Sequence, residues 1–326
     1  MSAPHRTAPV APTASPATFR INTPVLSRGT ADRSEDLRNP QRLADEWPRA
    51  KVVTLDARGR AAIEPATGRL ATLEASTVGD RPPVDAVLLG AVDGVDHWAV
   101  RGEVTDGGGL REWGALLPDA DAGLLTTATA LLTWHAAAGY CPRCGEPSTP
   151  TPAGWSRICP QQHQDFPRTD PAVIVLVHDG ADSMVLARQP IWPAGRMSVL
   201  AGFVEAGESL EGTVVREVLE EVGLHVSDVG YLGSQPWPFP RSLMIGFEAR
   251  ADPGAPLVPR DGEIEEARWF RRDEVRAILA AEAADPTSAD RWLAAGAAPG
   301  AVEPAVILPG QVSIARRMVE GWAAQH

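Results

Sequence analysis

Three groups of residues in this chain have types and spacings that can do chemistry. The first is acidic. Glu217, Glu220 and Glu221 fall within five residues, inside the stretch Gly202–Leu224. On a helix they project within about one turn of one another, and carboxylates fixed on a rigid face repel. A divalent cation with oxygen ligands relieves that repulsion; a solvated acidic helix face is the blander reading. Arg216 stands at i,i+4 from Glu220 and can hold part of the cluster in place.

The second group is Cys141-Pro-Arg-Cys144, with Cys159 and His163 downstream. Thiolates at this spacing bind a tetrahedral zinc from a tight turn, and a Cys₃His site leaves no open position for substrate water, so the site is structural. His163 is expected as the fourth ligand, although Gln162 takes the place that a symmetric second Cys pair would use. The third group is Ser234-Gln-Pro-Trp-Pro-Phe-Pro-Arg-Ser242. Its alternating prolines predict a stiff, extended backbone. Trp237 and Phe239 form either a shelf for a planar base or a buried core turn.

These groups need elements to position them. Around the acidic cluster, Ser209 suits an N-cap, Glu211 a helix start and Gly223 a C′ position, while Leu210, Val214, Val215, Val218 and Val222 follow helical spacing. A helix over 209–222 is expected between strands near 172–178, 184–188, 198–203, 228–232, 242–249 and 267–270. Further helices are expected at 119–138, 272–282 and 311–323, and an inserted loop at 283–308. Ahead of the cysteines, strands at 51–55 and 61–63 flank a turn at Asp56–Gly59, and strands at 86–92 and 97–104 flank Asp93-Gly94, a hairpin signal.

The chain of 326 residues is 44% hydrophobic, which is ample for globular cores, and carries a net charge of −12, which argues against a broad nucleic-acid surface. Its three clustered cysteines point to a reducing compartment and a metal rather than a disulfide framework. No apolar run reaches membrane-spanning length and no secretory leader is evident, so a cytoplasmic location is expected. The expected organisation is a disordered tail over 1–20, a β-rich domain over 21–138 ending in a helix, a zinc ribbon over 139–168, and a catalytic domain over 169–326.

The complete spacing of the acidic stretch (Gly202, Glu208, Arg216-Glu217, Glu220-Glu221, Gly223, Leu224) resembles the Nudix box of the Nudix hydrolases. Gln235–Pro240 followed by Ser242-Leu-Met, the zinc knuckle, and Phe166-Pro-Arg-Thr-Asp-Pro171 resemble the NADH pyrophosphatase (NAD diphosphatase) subfamily, over roughly residues 110–326. The resemblance implies an α/β fold: a Nudix α/β/α sandwich with a mixed sheet, preceded by a zinc ribbon and a β-rich domain. It implies Mg²⁺ or Mn²⁺ at Glu217, Glu221, the Ala201 carbonyl and Glu266, with Glu265 a near rival, and one structural Zn²⁺ per chain. It implies substrate contacts at Arg111, Phe166, Phe203, Gln235, Pro236, Trp237, Pro238, Phe239, Pro240, Arg241, Ser242 and Ala315, with Phe203 facing a nicotinamide ring. Three departures stand out: Phe166 in place of a frequent tyrosine, the Cys159/His163 pair, and the long 283–308 segment.

The implied reaction is hydrolysis of NAD(H) to AMP and NMN(H), with NAD-capped RNA as a related substrate and a homodimer as the assembly. A pyrophosphate is densely anionic, and an acidic site holds it only through bridging cations. Glu220 or Glu221 then takes the proton of the attacking water. Two alternatives remain: hydrolysis of another nucleoside diphosphate derivative such as ADP-ribose, and a non-catalytic zinc-ribbon nucleic-acid-binding or ligand-sensing regulator.

Overall fold

A computed structural model describes residues 14–259, 262–284 and 306–325. The strands are β1 (Ala14–Ser15), β2 (Lys51–Leu55), β3 (Arg60–Ala62), β4 (Leu73–Glu74), β5 (Val87–Val92), β6 (Val95–Arg101) and β7 (Gly107–Gly109). There follow β8 (Thr149–Pro150), β9 (Arg157–Ile158), β10 (Gln164–Asp165), β11 (Asp170–His178), β12 (Ser183–Arg188), β13 (Leu200–Phe203), β14 (Val226–Trp237), β15 (Ser242–Ala251) and β16 (Glu266–Arg271). The α-helices are α1 (Pro40–Glu46), α2 (Ala75–Val78), α3 (Leu110–Trp113), α4 (Asp119–Ala137), α5 (Leu210–Val222), α6 (Arg272–Ala284) and α7 (Ile314–Ala323).

These elements form two compact units. One comprises residues 1–22, 171–234 and 244–326, the other residues 23–170 and 235–243. The first is built on a sheet ordered β1-β14-β15-β11-β12-β16, with β13 also pairing β11. Its β1–β14 pair is parallel and its β11–β12 pair antiparallel, so the sheet is mixed. Side chains alternate along β11: Ile174 and Leu176 enter a core with Ile314, Met318 and Trp322 of α7 and Val275 of α6. Val173, Val175 and Val177 point to the opposite face and are also fully buried. The helix α5 packs against β13, burying Val214, Val218 and Val222 completely. A sheet with helices over its apolar surfaces is the expected α/β arrangement.

The N-terminal segment differs from the expected tail. Residues 1–13 lie outside the described residues, but Ala14 and Ser15 pair with Val229 and Gly230. Phe19 is buried in the core of this unit, and the Thr18 hydroxyl donates to Glu248 Oε2 at 2.7 Å. One aromatic ring and one buried carboxylate therefore outweigh the Ala/Pro/Thr composition that argued for disorder. Most of the expected 283–308 insertion, residues 285–305, lies outside the described residues.

The second unit carries a sheet ordered β5-β6-β2-β3-β7, with β4 on β2, and a small sheet β10-β9-β8. Trp47 and Trp98 meet edge to face at 5.5 Å in its core. Asp93 and Gly94 both have positive φ, 51° and 78°, and join β5 to β6 as their sequence predicted. The segment 235–243, the tip of the β14–β15 hairpin, belongs to this unit.

Candidate active site

The acidic stretch folds as one device. Ser209 caps α5 by accepting the Gly212 N–H at 3.1 Å, and Gly223 ends the helix in the left-handed region at φ 75°. Glu208 accepts Arg216 Nε at 2.6 Å, the Thr213 hydroxyl at 2.9 Å and the Glu205 N–H at 3.1 Å. The Arg216 guanidinium holds Glu208 down to about 2, well below the usual carboxylate range. Arg216 also donates through Nη1 to Glu217 at 3.0 Å and Glu220 at 2.9 Å, and through Nη2 to the Phe203 carbonyl at 3.0 Å. One cation thus fixes three carboxylates and the strand that faces them.

Glu221 has no such partner for one oxygen. Its Oε2 is buried and without a hydrogen-bond donor, while the carboxyl receives the Ala201 N–H. Burial, then the nearby charges of Glu217 and Glu263, push it up to about 8. Glu217 is also raised, chiefly by burial. N–H and C=O of one strand residue face the same side, so the Ala201 carbonyl is turned toward these acids too. Gly202 lies close beside them: a Cβ there would lie 1.9 Å from the Glu217 carboxyl carbon, so the Glu217 side chain would have to move. The orphaned oxygen, the repelling acids and the carbonyl are a donor set that fits a hard divalent cation.

Ala201, Phe203, Glu217, Glu220 and Glu221 all line one cavity of about 690 Å³. Glu266 does not. Glu266 is paired in register with Arg188, its Oε2 lies 3.7 Å from Arg188 Nε, and Glu265 engages Arg188 Nη2 at 2.9 Å. Glu263 lines the cavity instead. Gly262 places Glu263 in a turn, ahead of the strand on which Glu266 faces Arg188.

In the other unit, the Gln235–Ser242 stretch is not extended throughout. It is strand to Trp237 and then turns, with the Phe239 N–H donating to the Trp237 carbonyl at 2.7 Å and a cis bond from Phe239 to Pro240. The Trp237 and Phe239 rings meet at 5.0 Å, 73° apart. The Arg111 guanidinium lies 4.9 Å from the first ring centroid and 4.0 Å from the second. Packing against the rings lowers its pKa by desolvation, with its outer side open to solvent. Pro236, Pro238 and Pro240 shape the turn. Arg241 is engaged by Asp170 at 2.7 Å, and Ser242 is buried.

Two of the expected contact residues are buried. Gln235 is fully buried and its Oε1 accepts the Leu26 N–H at 3.5 Å, so its side chain braces the turn. Ala315 is buried in the α7 core. Phe166 is 58% exposed and free to meet a ligand.

The Cys141, Cys144, Cys159 and His163 ligand atoms all lie within 4.8 Å of one another. Cys141 Sγ to His163 Nδ1 and Cys144 Sγ to Cys159 Sγ are each 3.7 Å. A tetrahedral zinc–thiolate site has edges of about 3.8 Å, so the set fits zinc. Gln162, at φ 60°, forms the turn that delivers His163.

The NUDIX domain family model matches residues 168–292, and that of the NADH pyrophosphatase zinc ribbon domain matches residues 136–161. The chain is 48% identical over 313 residues to the NAD-capped RNA hydrolase NudC of Mycobacterium bovis, covering 92% of this chain and 95% of that one. The Mycobacterium tuberculosis protein of the same name matches to the same extent. The human mitochondrial NAD(P)H pyrophosphatase NUDT13 is 47% identical over 162 residues, 49% of this chain and 46% of its own. With its box intact and its zinc ligands assembled, the chain belongs to the Nudix hydrolases, in the NADH pyrophosphatase subfamily that carries a zinc ribbon.

Proposed function

We propose that this protein hydrolyses the pyrophosphate bond of NAD(H) to AMP and NMN(H), and likewise removes the NAD cap from RNA. The observation that carries the reading is the cavity acid cluster, with Glu221 buried, one oxygen unpartnered, beside Glu217 and Glu263. NAD(P)H pyrophosphatase and NAD-capped RNA hydrolase are the names of its relatives.

Mg²⁺ or Mn²⁺, when bound, screens the pyrophosphate and lowers the pKa of the attacking water. Glu217, Glu221, Glu263 and the Ala201 carbonyl would hold it. Arg216 keeps Glu217 and Glu220 oriented while Glu208 anchors Arg216. Glu220, exposed at the cavity edge, is placed to accept a proton from water. In the second unit, Trp237, Phe239 and Arg111 present flat apolar and cationic surfaces suited to a nucleotide base, with Phe166 as a further aromatic contact.

No helix among the described residues is long and apolar enough to cross a membrane. We infer a cytoplasmic homodimer, following the family resemblance and the reduced cysteines. Incubation with NADH, NAD⁺, ADP-ribose and NAD-capped RNA, each with Mg²⁺ or Mn²⁺, tests the reading by product identification. Release of AMP and NMN(H) is expected; cleavage of ADP-ribose alone would reject it.

A further inference from the structure

We propose that Ile191 forms an apolar wall for the nicotinamide end of the substrate and so helps select NAD-type ligands; this rests on the function proposed above. Residues 189–192 form a closed turn, the Trp192 N–H donating to the Gln189 carbonyl at 3.0 Å. Pro190 occupies the second position, where its fixed φ suits such a turn. The turn is pinned from below. Arg188 Nη1 donates to the Trp192 carbonyl at 3.2 Å, and the same guanidinium is held by Glu265 at 2.9 Å.

The pinned turn presents Ile191 at its tip, 85% exposed, and Ile191 lines the same cavity as the acid cluster. Among the described residues, the other large apolar side chain lining it is Phe203, 59% exposed. A single exposed isoleucine on a surface needs no explanation. This one sits on a turn held by two hydrogen bonds, in a cavity otherwise rich in carboxylates. A ligand with an uncharged, flat or weakly hydrated part next to its pyrophosphate would cover it.

The chemistry of the substrate chooses which part. In NAD-capped RNA the polymer continues from the adenosine, so that end must stay open. The nicotinamide nucleoside carries no continuation and tolerates a wall. The oxidised ring is also cationic, which suits the Glu205 carboxylate lining the cavity.

ADP-ribose keeps the adenosine and the pyrophosphate but lacks nicotinamide, so it separates this role from a general one. We expect Ile191→Ala to lower kcat/KM for NADH about five- to tenfold, from lost apolar contact, with a smaller effect on ADP-ribose. Titration of NADH by its own fluorescence in Mg²⁺-free buffer should show the same weakening, and Ile191→Leu should restore most of it. Thermal midpoints of the variants are measured alongside. Equal losses on both substrates, or no change for NADH in a stable variant, overturn the wall. Wild-type protein that cleaves ADP-ribose but not NADH overturns the proposed function instead, and the wall with it.

Discussion

The Glu217 carboxylate occupies the space that a side chain at position 202 would fill, its carbon 1.9 Å from where a Cβ would be built. Because β13 and α5 approach this closely, the first glycine of the box and its first helix glutamate are one fitted pair. Gly202→Ala must push Glu217 aside while leaving the fold's hydrophobic faces intact. We expect kcat to fall about a hundredfold or more, as when a charge-stabilising group is misplaced, with the thermal midpoint changed far less. Steady-state kinetics and a melting curve on the same sample check this.

Glu221→Gln should cost roughly 3–4 kcal/mol of transition-state stabilisation. It should also change the pH dependence of stability. Unfolded, this carboxyl loses its proton near 4.5; folded and free of cation it keeps it to about 8. Between those values the folded chain binds the extra proton, so this group's contribution to stability is lost as pH rises through the window. Melting in Mg²⁺-free buffer across the window should show a steeper decline for wild type than for the variant. Titration with Mg²⁺ near neutral pH should release about one proton in wild type and less in the variant, read by calorimetry in two buffers.

Glu263→Gln and Glu266→Gln separate two neighbouring acids. The first should raise the Mg²⁺ concentration needed for half-maximal activity about tenfold or more, as expected for loss of a group that holds the cation. The second removes only an exposed ion pair with Arg188 and should shift that concentration less than about twofold. A reversed order would return the role to Glu266.

Purified protein should contain one zinc per chain, measured by elemental analysis. Cys144→Ser should lower zinc content and the thermal midpoint, because structural zinc binding is coupled to folding. Cys141 is the more telling thiol chemically. Burial raises it, but backbone N–H groups of Arg143 and Cys144, with Cys144 and His163 nearby, outweigh this and bring it down to about 6. Such a thiol releases its proton readily to a metal, so zinc uptake should persist to mildly acidic pH.

The features legible in the sequence were those whose causes are local. Ser209, Gly223 and the spacing of Val214, Val218 and Val222 define α5 within the span 209–223, and the cysteine knuckle is set by two short turns. What periodicity does not carry depends on distant partners. Glu266 faces Arg188 on a neighbouring strand. Gln235 is buried against Leu26, far upstream. The order of residues 14–20 comes from Phe19 finding the α7 core and Thr18 finding Glu248. Register and remote burial are not written in periodicity.

The chain passes between its two units at 22/23, 170/171, 234/235 and 243/244. The hairpin that carries Trp237 therefore has its stem in the unit of Glu217 and Glu221 and its tip folded with Leu26, Arg111 and Asp170 of the other. A fragment cut at the start of the NUDIX match would keep every glutamate of the box and lose the packing that shapes this tip. Divergence in the N-terminal region can thus reshape this tip without touching Glu217, Glu221 or Glu263, and recombination at domain borders would have to inherit both pieces together.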